Sequence, residues 1–404
     1  MRTGLLVGVV LAALIAVLWS FGGLHRTELR TLDLRYLMRF LVERSGVQEQ
    51  PVVVVAIDER SLAAVGPWPW SYEVQAQLVR ALADSGAAAV GLAYLLPSEA
   101  APGESGVLAE VLVQTGNVVL ASAVRGADDL APPSDLIEAA AAVGSITLQP
   151  DRDGVVRRLS SRSGSSAFAP FALAYATGTG RLDPAALQSG PLLINYRPPA
   201  NEARIQLHRW LPTVSAVDVL EGVVSPLLQG KYAIVGLTAS PGADQHNTPL
   251  RQQVPGVYVH GFALRSWLLN DHIYTLPGTV TLVAVFVLAM AGSAFTFLLR
   301  PWLQTLVVLC MALAAVVTGI VAFIRYSLWL EVTPLLATVI GIYVAGLVYS
   351  QSVVDRDTRR IRQLFRRYVA PEVVDRLLQG GTDVEAGRRM EVTILFADVR
   401  GFTA

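Results

Sequence analysis

Long apolar stretches constrain this 404-residue sequence more than any other feature. Four of them reach the ~20 mostly apolar residues that a membrane-crossing helix needs. They occupy positions 4–24, 279–299, 302–324 and 328–349. Charged residues make up 16% of the chain, well below the ~25% of soluble domains, as expected when helices lie in lipid. The pattern predicts a membrane protein with four transmembrane helices, the last three joined by short links as antiparallel neighbours.

The first stretch has an alternative interpretation as a cleaved signal peptide. Its apolar core is long for a signal, and positions 19–23 (WSFGG) make a poor small-x-small cleavage site. An uncleaved anchor is therefore favoured. A transporter is a less favoured class, since it would need ionisable residues within its spans, and three of the four have none.

Arginines near the membrane predict the orientation. A cluster at 356–367 follows the fourth stretch, so that end is expected in the cytoplasm, with the chain crossing the bacterial inner membrane several times. Four crossings then place both termini inside and residues 25–276 outside. Glu331, the one acid in the fourth stretch, either pairs with Arg325 at the outer interface or extends to water.

The net charge and the cysteine content argue against a nucleic-acid partner and an internal disulfide. The formal net charge is zero, so no overall basic field indicates a nucleic-acid partner. The single cysteine, Cys310, lies in a predicted span, so no disulfide can form within the chain.

Residues 51–276 predict an α/β domain. The run PVVVVAID at 51–58 is typical of a strand buried on both faces, and a strand–helix–strand unit to position 96 favours a parallel pair. A helix is predicted at 71–85, with Ser71 as its cap and Gly86 as its stop. A second helix, at 258–270, leads toward the second apolar stretch. Further strands are predicted at 87–96, 117–121, 192–196 and 232–237.

Six short motifs occur in order along this domain. They are VVAIDE at 54–59 with SL at 61–62, GPWPW at 66–70, DRDGVVRR at 151–158, KYAIVG at 231–236, TP at 248–249 and PGVYVH at 255–260. Together they resemble the second class of CHASE domain, an extracellular sensory domain associated with cyclases and histidine kinases. The resemblance covers about 27–276, and three spans characteristically follow in that family. One departure stands at 91–99, where GLAYLLPSE replaces an acidic residue and a Phe-Glu-Pro-like turn; if that acid binds ligand, this sensor has lost or changed its ligand.

Several residues of these motifs are candidates for binding an unknown extracytoplasmic ligand or partner protein. They are Asp58, Trp68, Trp70, Arg157, Arg158 and His260.

Each motif also has a purely structural interpretation. The two tryptophans either pack a rigid loop on the core or form a ligand wall. Residues 151–154 begin like a calcium loop, but Val155 and Arg162 stand where further ligands belong, which favours a tight turn. The two arginines either receive an anion or are solvated or salt-bridged, and His260 on an apolar helix is typical of a core histidine.

The segment 350–390 is predicted as a cytoplasmic helical linker. One apolar stripe runs along its arginine-rich first helix and consists of Val354, Ile361, Leu364, Phe365 and Tyr368. A narrow stripe of this kind favours packing against a second copy, hence a homodimer. The alternative is a helix lying on the lipid surface.

The last residues, 391–404, predict a buried strand (VTILFA) followed by the turn DVRGFT. A carboxylate at a strand end followed by a glycine turn can hold a hard cation and offer amides to phosphate. FADVRGFT, with LFRRYVAPEVV at 364–374, resembles the opening of class III adenylate and guanylate cyclases, whose catalytic domain is α+β and ferredoxin-like.

The cyclase resemblance implies roles for five of these residues. Asp398 would be catalytic and bind two Mg²⁺ or Mn²⁺ ions, with help from the carbonyl of Val399, while Gly401, Phe402 and Thr403 would cradle the triphosphate. ATP is favoured over GTP as substrate, giving cyclic AMP and pyrophosphate. The family's other catalytic residues would follow Ala404, so these 404 residues alone are expected to be inactive. A degenerate cyclase fold that only binds or dimerises is the alternative.

Overall fold

The fold is that of a computed structural model. It describes residues 2–43, 50–97, 104–125, 128–159, 169–180, 192–199, 204–223, 225–240, 242–296 and 299–365, with the single positions 393 and 395. The predicted cyclase residues, including Asp398, and Tyr368 of the linker stripe lie outside the described residues. The side chains of the other four stripe residues are likewise not described, although their helix is.

Short strands alternate with helices through the domain, as predicted. The strands are β1 Val52–Ile57, β2 Ala89–Leu92, β3 Val118–Arg125, β4 Asp128–Leu130, β5 Ala142–Ser145, β6 Arg158–Leu159, β7 Leu192–Leu193, β8 Thr213–Ser215, β9 Tyr232–Leu237, β10 Gln245–Asn247, β11 Gln253–Pro255, β12 Tyr274–Thr275 and β13 Leu328–Trp329. The helices are α1 Arg2–Ser20, α2 His25–Val42, α3 Glu59–Val65, α4 Tyr72–Asp84, α5 Gly106–Thr115, α6 Ser134–Ala139, α7 Phe171–Gly178, α8 Leu207–Trp210, α9 Ala216–Leu220, α10 Ser225–Leu228, α11 Gly256–Leu268, α12 Gly278–Thr296, α13 Pro301–Tyr326 and α14 Thr333–Phe365.

A seven-stranded sheet forms the centre of the domain. Its order is β4-β3-β2-β9-β1-β8, with β5 also paired to β3. All pairings are parallel except β3 with β4. The prediction that β1 and β2 pair directly is wrong, because β9 lies between them and bonds to both. The apolar run of β9 suits this central position, where both faces are covered.

Side chains of the central strands alternate between two apolar cores. Val52 and Val54 of β1 point to one core with α7 and α11, and Val53 and Val55 point to the other with α4 and α5. This explains the unbroken valine run, since neither face of the strand meets water. The predicted strand at 192–196 lies outside the main sheet, where β7 pairs with β6.

The two helices predicted at 71–85 and 258–270 are confirmed as α4 and α11. α4 begins after Ser71, whose hydroxyl accepts a hydrogen bond from the Val74 amide, and Gly86 follows it with φ +77°. The segment 91–99, which departs from the pattern of similar domains, begins with a glycine for a packing reason. At Gly91, a Cβ would come within 2.8 Å of the Tyr175 ring and 2.9 Å of the Phe171 ring. Glycine thus lets α7 approach the sheet.

The apolar helices differ in detail from the four predicted spans. Within the described ranges, two helical segments are long and apolar enough to cross a membrane: Trp302–Tyr326 and Thr333–Gln351, with mean hydropathy 2.8 and 1.6. The pair Gly4–Ser20 and His25–Val42 would make a third if counted as one span, but it bends by 80°. Gly278–Ala294 is apolar and shorter.

The predicted start of the fourth helix, at position 328, is wrong. Leu328 and Trp329 form β13, which pairs with β12 at the end of the sensor domain, and α14 begins only at Thr333. The short strand satisfies backbone groups that a helix would otherwise bond internally. From Thr333 the helix continues without a break to Phe365, so the fourth span and the start of the linker are one helix.

Candidate ligand cleft and its link to the membrane helices

A cleft of about 500 Å³ lies at the carboxyl ends of the central strands. Residues just at or beyond the ends of β2, β3, β5 and β9 form one side, and the first turns of α11 form the other. In open α/β sheets this edge is where ligands bind, because loops and helix starts diverge there. The fold therefore places a small-molecule cleft where its architecture favours one.

The two tryptophans of the GPWPW motif have different roles. Trp70 is 4% exposed, and its indole N–H donates to the Gly66 carbonyl oxygen at 3.0 Å, so it belongs to the core. Trp68 lines the cleft, with its ring centroid 4.8 Å from that of Tyr94 in an edge-to-face pair. The packing interpretation of the motif is confirmed for Trp70, and a role in a ligand wall stays a prediction for Trp68.

Tyr94 is held by a buried hydrogen-bond chain. Its hydroxyl donates to the Gln75 side-chain oxygen at 3.2 Å, and the Gln75 amide donates to the Trp70 carbonyl oxygen at 2.8 Å. The aromatic wall of the cleft is therefore fixed to α4 before any ligand arrives.

His260 on α11 is a cleft residue as well as a core residue. It is 2% exposed, and its Nε2 lies 3.2 Å from the Ile146 carbonyl oxygen, which can only accept. Burial lowers the pKa of His260 to about 4, so the ring is neutral near pH 7 and Nδ1 is left as an acceptor. That Nδ1 is buried and has no hydrogen-bond partner among the described residues.

A second imidazole lies at the same cleft. Nε2 of His246, on β10, is 2.8 Å from a carboxylate oxygen of Asp244. The Asp244 side chain is 83% exposed, whereas that of His246 is 15% exposed. Both residues line the cleft, and neither was singled out from the sequence.

Asp58 serves the fold and lies away from the cleft lining. Its Oδ1 accepts hydrogen bonds from the Ser61 amide at 2.9 Å, the Ser61 hydroxyl at 2.7 Å and the Ser215 hydroxyl at 2.8 Å. Burial alone would raise the pKa of Asp58, but these bonds outweigh it and the pKa is lowered. Asp58 thus caps α3, a helix that sequence patterns did not predict, and ties β1 to β8.

Arg157 is the centre of a buried ionic cluster. Its guanidinium donates to both carboxylate oxygens of Asp33 at 2.7 Å, to Asp153 at 2.7 and 2.9 Å, and to Asp151 at 3.0 Å. These five bonds use every N–H of the side chain. Arg157 therefore has no donor left for an anionic ligand, and of the two interpretations the salt-bridged one is confirmed.

Arg158 and the DRDG turn belong to the same cluster. Arg158 Nε lies 3.0 Å from Asp151, and its guanidinium lies 5.6 Å from the centroid of the Trp329 ring. The Asp151 carbonyl accepts from the Gly154 amide at 2.8 Å, as in a tight turn. This bond confirms the predicted tight turn.

A network around Glu28 joins the domain to the last membrane helix. The carboxylate of Glu28, which is 2% exposed, accepts from Arg35 at 2.9 Å, from the Trp329 indole at 3.0 Å and from the Thr333 amide at 2.8 Å. Arg35 also donates to the Leu330 carbonyl oxygen at 2.7 Å. Glu28, Arg35, Trp329 and Thr333 are called the Glu28 network below.

Sequence analysis did not identify the Glu28 network, although one signal was present. Buried residues of α2 recur at helical spacing and include charged ones: Glu28, Leu32, Arg35, Tyr36 and Arg39. A face that mixes apolar residues with regularly spaced charges indicates a helix packed against polar partners.

Farther along α2, Arg39 and Tyr36 make a second attachment. Arg39 donates to the Asn195 side chain at 2.7 Å, to the Ser327 hydroxyl at 3.2 Å and to the Phe323 carbonyl oxygen. Tyr36 donates to the Ile194 carbonyl oxygen at 2.8 Å. α2 thereby bonds to Ile194 and Asn195 of the sensor on one side and to the end of α13, at Phe323 and Ser327, on the other.

Asn195 connects this attachment to the cleft helix. Its backbone N–H donates to the Ser266 hydroxyl at 3.3 Å, and its backbone carbonyl oxygen accepts from the Arg265 side chain at 3.0 Å. Arg265 and Ser266 lie on α11, the helix that carries His260. A continuous series of contacts therefore runs from the cleft through α11 and Asn195 to α2.

Glu331 bonds to a partner that was not predicted, and it remains partly exposed. Its carboxylate accepts from the indole N–H of Trp19, at the end of α1, at 2.5 Å. The predicted pairing with Arg325 is wrong, because the α13–α14 connection turns the acid toward α1. The first and last apolar helices are joined by this bond at the membrane face.

Comparison with known families agrees with this architecture. A model of the CHASE2 domain matches residues 9–294, more than half of the chain. The chain belongs to the CHASE2 domain family. CHASE2 is an extracellular sensor domain of receptor-type signalling proteins, so this CHASE2 protein carries an extracytoplasmic sensor in a membrane protein. The match begins within α1 and ends within α12, beyond the expected 27–276. No curated protein and no solved structure matches the chain.

The buried His260 predicts a pH dependence of the stability of this CHASE2 domain. The pKa of His260 is about 4 in the folded chain and 6.5 in an unfolded one. Between these two pH values the imidazole is protonated in the unfolded state and mostly neutral in the folded state. Stability should fall by up to about 1.4 kcal/mol per pH unit from pH 6.5 toward pH 4 from this residue.

Thermal unfolding midpoints of wild type and His260→Phe at several pH values between 7.5 and 4.5 measure this contribution. The wild-type midpoint should drop more steeply than that of the variant, which lacks the titrating ring. Parallel pH profiles for the two proteins would show that His260 does not make this contribution.

Proposed function

We propose that this chain is the sensing and membrane part of a four-pass receptor whose cytoplasmic output is a class III nucleotide cyclase. The observation that carries the proposal is the single helix α14. It starts at the Glu28 network beneath the sensor and continues unbroken to Phe365, where the cyclase-like segment 364–374 begins. A change in the sensor has a direct covalent route to that segment.

The length of α14 supports this role. Its 33 residues span about 50 Å, whereas the hydrocarbon core of a bilayer is about 30 Å thick. About 20 Å of helix therefore extends past the membrane when the start of α14 lies at the outer face. The arginines between positions 356 and 362 fall in this extension, as expected for a cytoplasmic segment.

The proposal counts α1 and α12 as spans beside α13 and α14. Each has 19 residues, or about 28 Å of helix, close to the thickness of the hydrocarbon core. Gly8 of α1 approaches α12 so closely that a Cβ would lie 2.9 Å from the Ala289 carbonyl oxygen. Gly341 of α14 meets Leu11 of α1 in the same way, at 2.4 Å. Such small-residue contacts are typical of packed transmembrane helices.

In this topology both termini are cytoplasmic and residues 25–276 are outside the inner membrane. Alkaline phosphatase fused at position 160 should be active, because the enzyme folds only outside the cytoplasm, and fused at position 381 it should be inactive. Activity at 381, or its absence at 160 in a fusion of equal expression, would contradict the four-pass topology.

At the output end, Asp398 and the carbonyl of Val399 would hold Mg²⁺ or Mn²⁺, and the amides of 401–403 would hold the triphosphate of ATP or GTP. What supports this is the motif FADVRGFT and its place after the linker. The homodimer stays a prediction that rests on the stripe from Val354 to Tyr368; cysteine cross-linking at position 361 is its test. A degenerate cyclase domain that only binds or dimerises remains the second candidate output.

The charge of Asp398 separates metal binding from turn capping. In a protein with a complete catalytic domain, Asp398→Asn should abolish most cyclic nucleotide formation, because an amide is a poor ligand for a hard divalent cation. If Asp398 only caps the turn, Asn accepts the same hydrogen bond and activity should stay near normal. The measurement is turnover at saturating Mg²⁺ or Mn²⁺, with membrane insertion compared by immunoblot. Near-normal turnover by the Asn variant would contradict the assignment.

A further inference from the structure

We propose that the cleft at the carboxyl edge of the sheet binds a small amine that has an apolar body and no acidic group. This inference concerns the input of the receptor and goes beyond the proposed function, since it does not depend on a cyclase output. It rests on the shape of the cleft, on one unpaired buried acceptor and on the charges of the lining.

The cleft has the size and walls of a small-molecule site. Its volume of about 500 Å³ falls within the 300–1,000 Å³ of such sites. Most of the lining side chains are apolar, for example Ala93, Val124 and Leu237 at strand ends, but polar and apolar atoms share the exposed wall almost equally. A ligand that fits this cleft must therefore combine an apolar body with polar groups.

Two hydrogen-bond acceptors in the cleft lining, on His260 and Asp244, favour a ligand that carries hydrogen-bond donors. Nδ1 of His260 is an acceptor, because Nε2 carries the proton that is donated to Ile146. A buried acceptor without a partner is unfavourable, and a ligand N–H that reached Nδ1 would remove this penalty. The carboxylate of Asp244 can also only accept when ionised; one of its oxygens lies 2.8 Å from Nε2 of His246, which lines the cleft together with Thr147.

The charges of the lining favour a cation over an anion. Of the lining residues that the structure describes, none is a lysine or an arginine. Arg157, the cation of the DRDGVVRR motif, is not in the lining, and its donors are all bound to carboxylates. An acidic ligand would lose its hydration without gaining a permanent cationic partner, whereas an ammonium group would gain Asp244.

The aromatic wall suits the same ligand. Trp68 lines the cleft and is partly exposed, and Tyr94 stands against it edge to face. Indole and phenol faces attract cations and also cover apolar bodies.

Three matched probes test the proposal: 2-phenylethylamine, 2-phenylethanol and phenylacetate, which share a ring and differ in charge. Their binding to the full chain in lipid nanodiscs is measured by calorimetry at pH 7.5, with empty nanodiscs subtracted because these molecules partition into lipid. The expected order of affinity is amine, then alcohol, then acetate, with the amine at least about tenfold tighter than the acetate.

Two variants place the binding at this cleft. His260→Phe keeps a ring of similar size but removes the acceptor, and should weaken the amine about tenfold, as expected for a bond to a charged donor. Asp244→Asn keeps the shape of an exposed side chain and an oxygen that His246 can bond, but removes the charge, and should weaken the amine several-fold while leaving the alcohol unchanged. The control His272→Phe alters a histidine in a different cavity, at the membrane face, and should leave all three affinities unchanged.

Equal or tighter binding of phenylacetate would overturn the proposed ligand class. Unchanged amine affinity in both cleft variants, or no saturable binding of any probe to the wild type, would overturn the site. None of these results bears on the cyclase proposal, which is tested at Asp398.

Discussion

The carboxylate of Glu28 is the contact on which the link between sensor and membrane depends. A buried charge is tolerated only when it is fully paired, and Glu28 achieves this with a guanidinium, an indole and a backbone amide from two separate parts of the chain. Its bond to the Thr333 amide also places negative charge at the positive end of α14. Removing the carboxylate would leave Arg35 buried without its ion pair and the first turn of α14 without its cap.

This arrangement makes α2 the shared element of the molecule. One of its faces holds the sensor through Tyr36, Arg39 and the ion pair of Asp33 with Arg157, and the same helix holds the α13–α14 connection. His260 lies in the cleft on α11, and α11 reaches α2 through Asn195. These contacts in series give a ligand in the cleft a short physical route to α14.

Much of the domain could be predicted from local pattern. The valine run of β1, the capped helix α4 and the strand β9 follow from periodicity and end signals that involve only neighbouring residues. The position of β9 between β1 and β2 could not, because strand order depends on which distant segments share a core. The same limit applies to Glu28, because its partners Trp329 and Thr333 lie about 300 residues away in the sequence. The spacing within α2 indicates that a polar face is buried, but it does not identify the residues that this face contacts. Of the sensor candidates, Trp68 and His260 lie in the cleft, while Asp58, Trp70 and Arg157 are used by the fold.

Hydrogen exchange of the full chain in nanodiscs tests most directly whether the sensor and α14 form one coupled unit through Glu28. Exchange is compared in the sensor segment 192–196 and the helix start 333–340 for wild type, Glu28→Ala and the control Glu59→Ala, which removes an exposed acid of the sensor. The account predicts that Glu28→Ala speeds exchange in both segments by at least about tenfold, since breaking a buried ion pair typically costs more than the 1.4 kcal/mol this represents, and that Glu59→Ala speeds neither. Faster exchange at 333–340 alone, or in neither segment, would contradict it.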